Sequence, residues 1–288
     1  MIGMVPDHAP ATAMNQGRSI TGYRLHVRCK SISSGIYRPD NHSDVHGMIL
    51  SFMKAHDEGI SAKMHEHGTR KPWSFSRIFF DIATPVPESR WFHVREGIGG
   101  QFFINTTSED VYTALVSGLS RHIQSRLNDI ALELMDIDCE TTDLATVTPV
   151  PAITMVFHTP TFFREYADAQ ITTEFDLGKL IRFQCLALTR AEMAFIDPDR
   201  LLKNVTVGSK LLKPATGMLH EKDKNIVWPG FVGEIELCCT ATDPAIIKDF
   251  VTMAIGSQFI GVGSRTSIGF GHVTVKSLNE KTRASNYV

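Results

Sequence analysis

The sequence predicts an α+β protein made of two tandem ferredoxin-like units, each a β-α-β-β-α-β succession, with a glycine-rich loop near the C-terminus. Three observations predict it. Strand-type alternation and helix-type spacing follow one another in that order twice along the chain. The 288 residues suit one large or two medium domains. A Thr- and Pro-rich stretch, TDLATVTPVP (142–151), separates the two rounds.

The first round is placed in residues 18–147. SITGYRLHVRCK (19–30) sets Ile20, Tyr23, Leu25 and Val27 among polar residues and reads as a strand. Ser43 is read as an N-cap, after which Val45, Met48, Ile49, Phe52 and Met53 fall at helical spacing. WSFSRIFFDI (73–82) and RWFHVREGIGGQFFINTT (90–107) read as strands, the second interrupted by a glycine turn. Ser108 then precedes a helix with Val111, Leu115, Leu119, Ile123 and Leu127 in one stripe. IALELMDID (130–138) closes the unit as a strand.

The second round is placed in residues 148–288. VPAITMVFHTPTFFRE (150–165) begins a strand, and Leu177, Leu180, Ile181, Cys185 and Leu188 form a helical stripe. NVTVGSKLL (204–212) and GFVGEIELCCTAT (230–242) read as strands. Asp243-Pro244 supplies an N-cap and a proline at the first helical position of a helix carrying Ile246, Ile247, Phe250, Val251, Ala254 and Ile255. GHVTVKSL (271–278) is the last strand.

Composition excludes several classes. The chain is 43% hydrophobic and 21% charged, and no run of about 18 apolar residues is present, so no transmembrane helix and no membrane partner are expected. Residues 1–17 have neither a basic n-region nor an apolar h-region and read as a flexible tail rather than a secretory signal. The five cysteines are odd in number and lack CxxC spacing, which points to a reduced, cytoplasmic protein.

A formal net charge of −2 counts against a general nucleic-acid binder. The charges are segregated, however. Residues 201–220 hold Lys203, Lys210 and Lys213 with no acid, and residues 250–279 hold Arg265 and Lys276 with no acid. Between Lys63 and Arg77, four bases stand against Glu66 alone, while acids gather in ELMDIDCETTD (133–143). Such segregation is compatible with a solvated face and equally with one basic face on a near-neutral protein.

GVGSRTSIGFG (261–271) has four glycines in eleven residues around Arg265. It is not a dinucleotide fingerprint: the third glycine position is Thr266, and the stretch leads from helix to strand, the reverse of the Rossmann order. No GxxxxGK[ST] occurs either. Two readings stand: a turn that needs positive φ, or a backbone amide cradle, with Arg265 adding charge, that grips phosphates.

The form GVG-SRTSI-GFG between a last helix and a last strand resembles the glycine-rich signature of CRISPR-associated RAMP proteins. WPGFVGEIEL (228–237) is similar to the strand segment preceding that helix and loop in the same superfamily. AKMHEHGTRKPWSFSRI (62–78) resembles a segment of its repeat-RNA-processing endoribonuclease, and DNHSDVHGMIL (40–50) resembles that family's entry into its first helix. The matches span roughly residues 19–278.

The resemblance implies an endoribonuclease that cuts the repeat of a CRISPR precursor transcript without metal or other cofactor. A ribose 2′-OH attacks the adjacent phosphate, leaving a 2′,3′-cyclic phosphate and a 5′-OH. The chemistry needs alignment, a proton carrier near neutral pH and positive charge for the phosphorane. By resemblance, His65 takes the catalytic histidine position, as acid or base, and Lys71 takes the lysine that steadies the transition-state charge. Without the resemblance, His65 reads as a surface or packed histidine and Lys71 as a solvated lysine.

Some family members carry a tyrosine fifteen residues before the histidine. That count lands on Leu50, which transfers no proton; His46 and Tyr37 are the nearby candidates for a third group. His56 and His67 are further histidines close by, and HEH (65–67) has a rival reading as a metal site, for which no third or fourth ligand has recognisable spacing. RNA grip is assigned to Gly261, Gly263, Ser264, Arg265, Gly269 and Gly271, with Arg70, Lys71 and Arg77. Trp73 reads either as a base-stacking ring or as core. The implied partners are repeat and guide RNA, with other Cas proteins of an effector complex. The alternative is a non-catalytic RAMP subunit that binds guide RNA in such a complex.

Overall fold

The computed structural model describes residues 20–40, 42–65, 71–164, 174–221 and 224–277. Leu25, Val27 and Cys29 of β1 (Thr21–Ser31) point into the first core, while Arg24, His26 and Arg28 alternate onto the open face. After β2 (Gly35–Tyr37) comes α1 (His42–His56), which buries Val45, Met48, Ile49, Phe52 and Met53 at the predicted spacing. Ser43 lies inside the first turn of that helix, so it is not the N-cap; α1 already begins at His42.

The eight-residue α2 (Glu58–His65) was not foreseen. Its start is organised by Asp57, whose carboxylate accepts from the amides of Gly59 at 2.7 Å and Ile60 at 3.0 Å. Short strands follow: β3 (Trp73–Phe75), β4 (Phe79–Phe80), β5 (Thr84–Pro85) and β6 (Phe92–Val94). Then come β7 (Gly99–Thr106), α3 (Glu109–Arg121), β8 (Gln124–Leu127) and β9 (Ile130–Asp143). Ser108 caps α3, its hydroxyl accepting from the Val111 amide. The predicted stripe stops early: Ile123 is 63% exposed and Leu127 belongs to β8, because a hairpin replaces the last helical turns.

The principal strands of this half lie in the order β3-β7-β1-β9, with β8 beyond β9 and β4 beside β7. Taken as first to fourth strands, that order is 2-3-1-4, the arrangement of a ferredoxin-like unit. β2, β6 and β5 form a separate small sheet.

A 3-10 turn at Leu144–Thr146 leads to β10 (Ala152–Thr161), α4 (Leu177–Arg190), α5 (Pro198–Leu202), β11 (Val205–Glu221), β12 (Lys224–Cys239), α6 (Pro244–Ile260) and β13 (Val273–Ser277). Their sheet runs β11-β12-β10-β13, again 2-3-1-4. Asp243 caps α6 with Pro244 at its first position, as the sequence predicts, and Asp176 caps α4. The β11–β12 hairpin is longer than the predicted strands, pairing out to Glu221 and Lys224. Pro214, Gly217 and Pro229 lie within it, residue types that weaken a local strand signal.

Each sheet has its own apolar core beneath its helices. α6 also serves the junction: the Ser74 hydroxyl donates to the Gln258 carbonyl at 3.2 Å, and Gly22 gives Phe259 room against β1. The Met218 amide of β11 donates to the Asp40 carbonyl at 2.8 Å, just ahead of α1. Among the described residues, no helix is long and apolar enough to cross a membrane.

Candidate active site and glycine-rich loop

Three side chains from three segments converge beside β3. His46 stands one turn into α1, His65 ends α2, and Lys71 follows two residues before β3. The His46 ring centroid lies 6.3 Å from that of His65, 5.7 Å from Trp73 and 6.1 Å from Phe75. Burial, with the nearby positive charges of His65 and Lys71, lowers the His46 pKa to about 4. His46 is therefore a neutral imidazole at pH 7, able to accept a proton.

His65 is exposed. Lys71 is buried, 6% exposed, and its Nζ donates to the Lys63 carbonyl at 2.6 Å. That bond ties the lysine to the last turn of α2, where a cation also meets the negative end of the helix dipole. The Ser61 hydroxyl donates to the Leu50 carbonyl at 3.1 Å and fastens α2 to α1.

Other sequence candidates lie elsewhere. Leu50 packs against the first core. Tyr37 is buried, its hydroxyl donating to the Ile78 carbonyl at 2.9 Å, and burial pushes its pKa up. His56 is exposed at the end of α1. Trp73 is fully buried, so the core reading holds for it and base stacking does not. Glu66, His67 and Arg70 lie outside the described residues, and no group of three or more His, Cys, Asp or Glu suited to a metal occurs among those described. Arg77 is half-buried with its guanidinium 5.0 Å from the Phe79 ring centre; its charge acts on His42 and His158 rather than on His46.

The glycine-rich stretch joins α6 to β13 as predicted. Gly261, Gly263, Gly269 and Gly271 all have positive φ, as does Arg265 at 62°. The reason is close backbone crossing. A Cβ on Gly263 would strike the Phe162 carbonyl, and one on Gly271 the Val262 carbonyl. Six amides of the stretch donate to backbone carbonyls: Gly261 to Ser257, Val262 to Gly271, Ser264 to Phe162, Ile268 to Arg265, Gly269 to Thr266 and Gly271 to Pro160. All four glycines are buried, Ser264 is half-buried and Arg265 is exposed. Outward, the loop presents the exposed Arg265 side chain.

The loop also presses on the first half. A Cβ on Gly269 would come within 2.7 Å of Phe75 and 2.9 Å of His42 Nδ1. Phe270 packs on His42 with centroids 4.5 Å apart. His42 begins the helix that carries His46, so the loop packs against the helix that holds one of the two histidines.

Residues 155–273 match the family model described as CRISPR-associated endoribonuclease Cas6. That stretch of the chain is similar to this family. The matched residues include GFVG and the glycine-rich loop, whereas the His65–Lys71 segment lies before them. Among solved structures, the chain superposes on a Cas6 product complex of Thermus thermophilus with a TM-score of 0.67 at 16% identity, covering 88% of this chain and 100% of the other. A Cas6-related protein of Pyrococcus furiosus gives a TM-score of 0.66 at 16% identity, covering 89% and 99%. An RAMP protein described as binding different RNA substrates gives 0.64 at 15% identity, covering 88% and 100%. These likenesses establish the fold. No curated protein matches the chain by sequence.

Two residues at the loop escaped the sequence reading. Trp228, on β12, lies beneath the Arg265 guanidinium, and the guanidinium of Arg164, just past β10, lies over the same ring. Trp228 stood within a quoted motif, but only the folded hairpin brings it to the loop.

Proposed function

We propose that this Cas6-like chain is a metal-independent endoribonuclease that cleaves CRISPR repeat RNA in precursor transcripts to give guide RNAs. The observation that carries the reading is the neutral His46 imidazole 6.3 Å from the exposed His65, with Lys71 close enough to act on its charge. The matched family description and the Thermus thermophilus product complex support it.

In this reading, neutral His46 takes the proton from the ribose 2′-OH as the 2′-oxygen forms its bond to phosphorus. The bond from phosphorus to the 5′-oxygen breaks, and His65 in its imidazolium form gives that oxygen a proton. Lys71 steadies the extra negative charge of the phosphorane. It also holds the α2 terminus that presents His65. Arg265, Arg77 and Arg70 add positive charge for the RNA backbone, and the four glycines shape the loop that holds Arg265. The catalytic segment then belongs to a unit of residues 18–147, and the RNA-holding loop to one of residues 148–288.

The test is labelled cognate repeat RNA incubated in EDTA with the unmutated chain and with His46→Ala and His65→Ala. Cutting by the unmutated chain and none by either variant is the expected result. No cutting by the unmutated chain removes the nuclease reading. A second reading, a guide-RNA-binding RAMP subunit without catalysis, is favoured by Leu50 at the tyrosine position and predicts binding without cutting.

A further inference from the structure

A depression of about 340 Å³ lies on the first sheet, where the end of β1 pairs with the start of β7. That volume is at the lower end of the range for small-molecule pockets. Gly97 and Gly99, from the glycine turn that opens β7, line it together with Lys30, Asp81, Gln101 and Met135. None of these residues belongs to the histidine site or to the glycine-rich loop.

Three backbone features hollow it out. Gly97 turns with a left-handed backbone, φ 85°. Gly99 is the register partner of Lys30, and a Cβ on it would strike a carboxylate oxygen of Asp81, so the carboxylate fills the place of the missing side chain. Across β1, the pairing with β9 slips between Arg28 and Cys29, whose partners are Asp136 and Leu134. Met135 is therefore the extra residue of a β-bulge, a device that re-aims a side chain. It is left 58% exposed at the depression.

The polar groups divide into engaged and available ones. Arg28 is held by Asp136 and Asp138. The His26 ring donates from Nε2 to Gln101 Oε1 at 2.6 Å, which fixes the amide and leaves its N–H₂ group as a donor. Lys30 and Asp81 are exposed, and neither is in an ion pair among the described residues. The depression thus offers a carboxylate acceptor, an ammonium and an amide donor, and an apolar thioether, over glycine backbone on which a flat ring can lie.

A phosphate would meet the Asp81 carboxylate, so the site is unsuited to the sugar–phosphate backbone. A base edge suits it better. Guanine alone among the four RNA bases presents two neighbouring N–H donors, which a carboxylate accepts together, beside a carbonyl oxygen that a lysine can donate to. We propose that this depression holds one guanine base of the bound RNA strand, with Asp81 accepting from N1–H and the exocyclic amine, Lys30 donating to O6 and Met135 against the ring. The inference rests on the reading of the chain as an RNA-processing nuclease. It adds base selectivity at a distance from the cut: β7 runs about 23 Å from Gly99 to Thr106, the register partner of Trp73 beside the histidines. The base that is read therefore lies several nucleotides from the bond that breaks.

The experiment is fluorescence anisotropy with short labelled uridine oligoribonucleotides that carry one central guanine, inosine, adenine or cytosine, with guanosine monophosphate as a competitor. The proteins are the unmutated chain, Asp81→Asn, Lys30→Met and Gly99→Ala, with melting temperatures recorded to establish that each folds. The unmutated chain is expected to bind the guanine oligonucleotide about 10-fold more tightly than the adenine, cytosine and all-uridine ones, with inosine, which lacks the exocyclic amine, in between. Asp81→Asn and Lys30→Met should each remove most of that preference. Gly99→Ala should do the same with every polar group still present, because its Cβ displaces the Asp81 carboxylate. Guanosine monophosphate should compete only weakly; a free nucleotide bound as tightly as the oligonucleotide overturns the assignment to an RNA strand. Equal affinity for all the oligonucleotides, or a guanine preference that survives Asp81→Asn, overturns the pocket and leaves the nuclease reading standing. Absence of RNA binding by the unmutated chain overturns both.

Discussion

The rings of His46 and His65 lie 6.3 Å apart and within 19° of parallel, one near the start of α1 and the other at the end of α2. A short helix folded back on a longer one brings them together. The Ser61 and Lys71 hydrogen bonds hold that return in place. One ring is sheltered and the other exposed, so they are suited to opposite proton-transfer roles.

The pH dependence of cleavage follows from His46. A base acts in its unprotonated form, and burial sets the His46 pKa at about 4. The rate should therefore hold as pH falls through 6.5 and drop only toward about 4. Single-turnover cleavage measured from pH 4 to pH 9 checks this; an acid limb centred near 6.5 assigns the base to another group.

Lys71 should matter in two ways. Lys71→Met removes the bond to the Lys63 carbonyl and the charge beside the histidines. A hydrogen bond from a charged group contributes about 1.5–3 kcal/mol, so the last turn of α2 should open more readily. Hydrogen exchange of the α2 amides should quicken, and cleavage should fall at least about 100-fold. Exchange that quickens with cleavage unchanged confines Lys71 to the structural role.

Acid should destabilise the fold before carboxylate protonation is complete. Burial lowers His42, His46 and His158 to about 4 and takes His272 well below its ordinary value. Between about 4 and 6.5 the unfolded chain binds more protons than the folded one, so stability rises with pH across that window. It is fully present above about 6.5 and is lost as pH falls toward 4. The melting temperature should drop on the order of 10 °C across the window. His42→Leu should flatten the fall, since neither nitrogen of His42 has a partner among the described residues.

Gly271→Ala should be costly although it adds one methyl group. Gly271 has φ 63°, and a Cβ there runs into the Val262 carbonyl. A loss of about 2 kcal/mol or more is expected, read by chemical denaturation. RNA affinity should fall with it, because the same crossing shapes the loop that holds Arg265.

Much of the fold was legible because its signals are local. The Asp243-Pro244 cap, the Ser108 cap and the apolar stripes of α4 and α6 depend on neighbours a few residues away. α2 was hidden because a helix of eight residues gives too few turns for periodicity to register. The full hairpin of β11 and β12 was hidden because Pro214 and Pro229 interrupt strand-type sequence, while pairing such as Gly217 with Trp228 overrides that local signal. At the site, His65 and Lys71 stood out through motif spacing. The state of His46 depends on burial between α1, α2 and β3, which no spacing reveals. A turn needing positive φ was one of the two readings of the glycine stretch; the carbonyls the glycines pass were not legible, since Phe162 lies about a hundred residues away in sequence.

The chemistry of the cut ends tests the central claim most directly. Repeat RNA cleaved by the unmutated chain in EDTA should give one fragment ending in a 2′,3′-cyclic phosphate and one beginning with a 5′-hydroxyl, resolved by mass spectrometry. Fragments bearing a 3′-hydroxyl and a 5′-phosphate, or no fragments at all, would contradict attack by the 2′-hydroxyl at the His46–His65 pair.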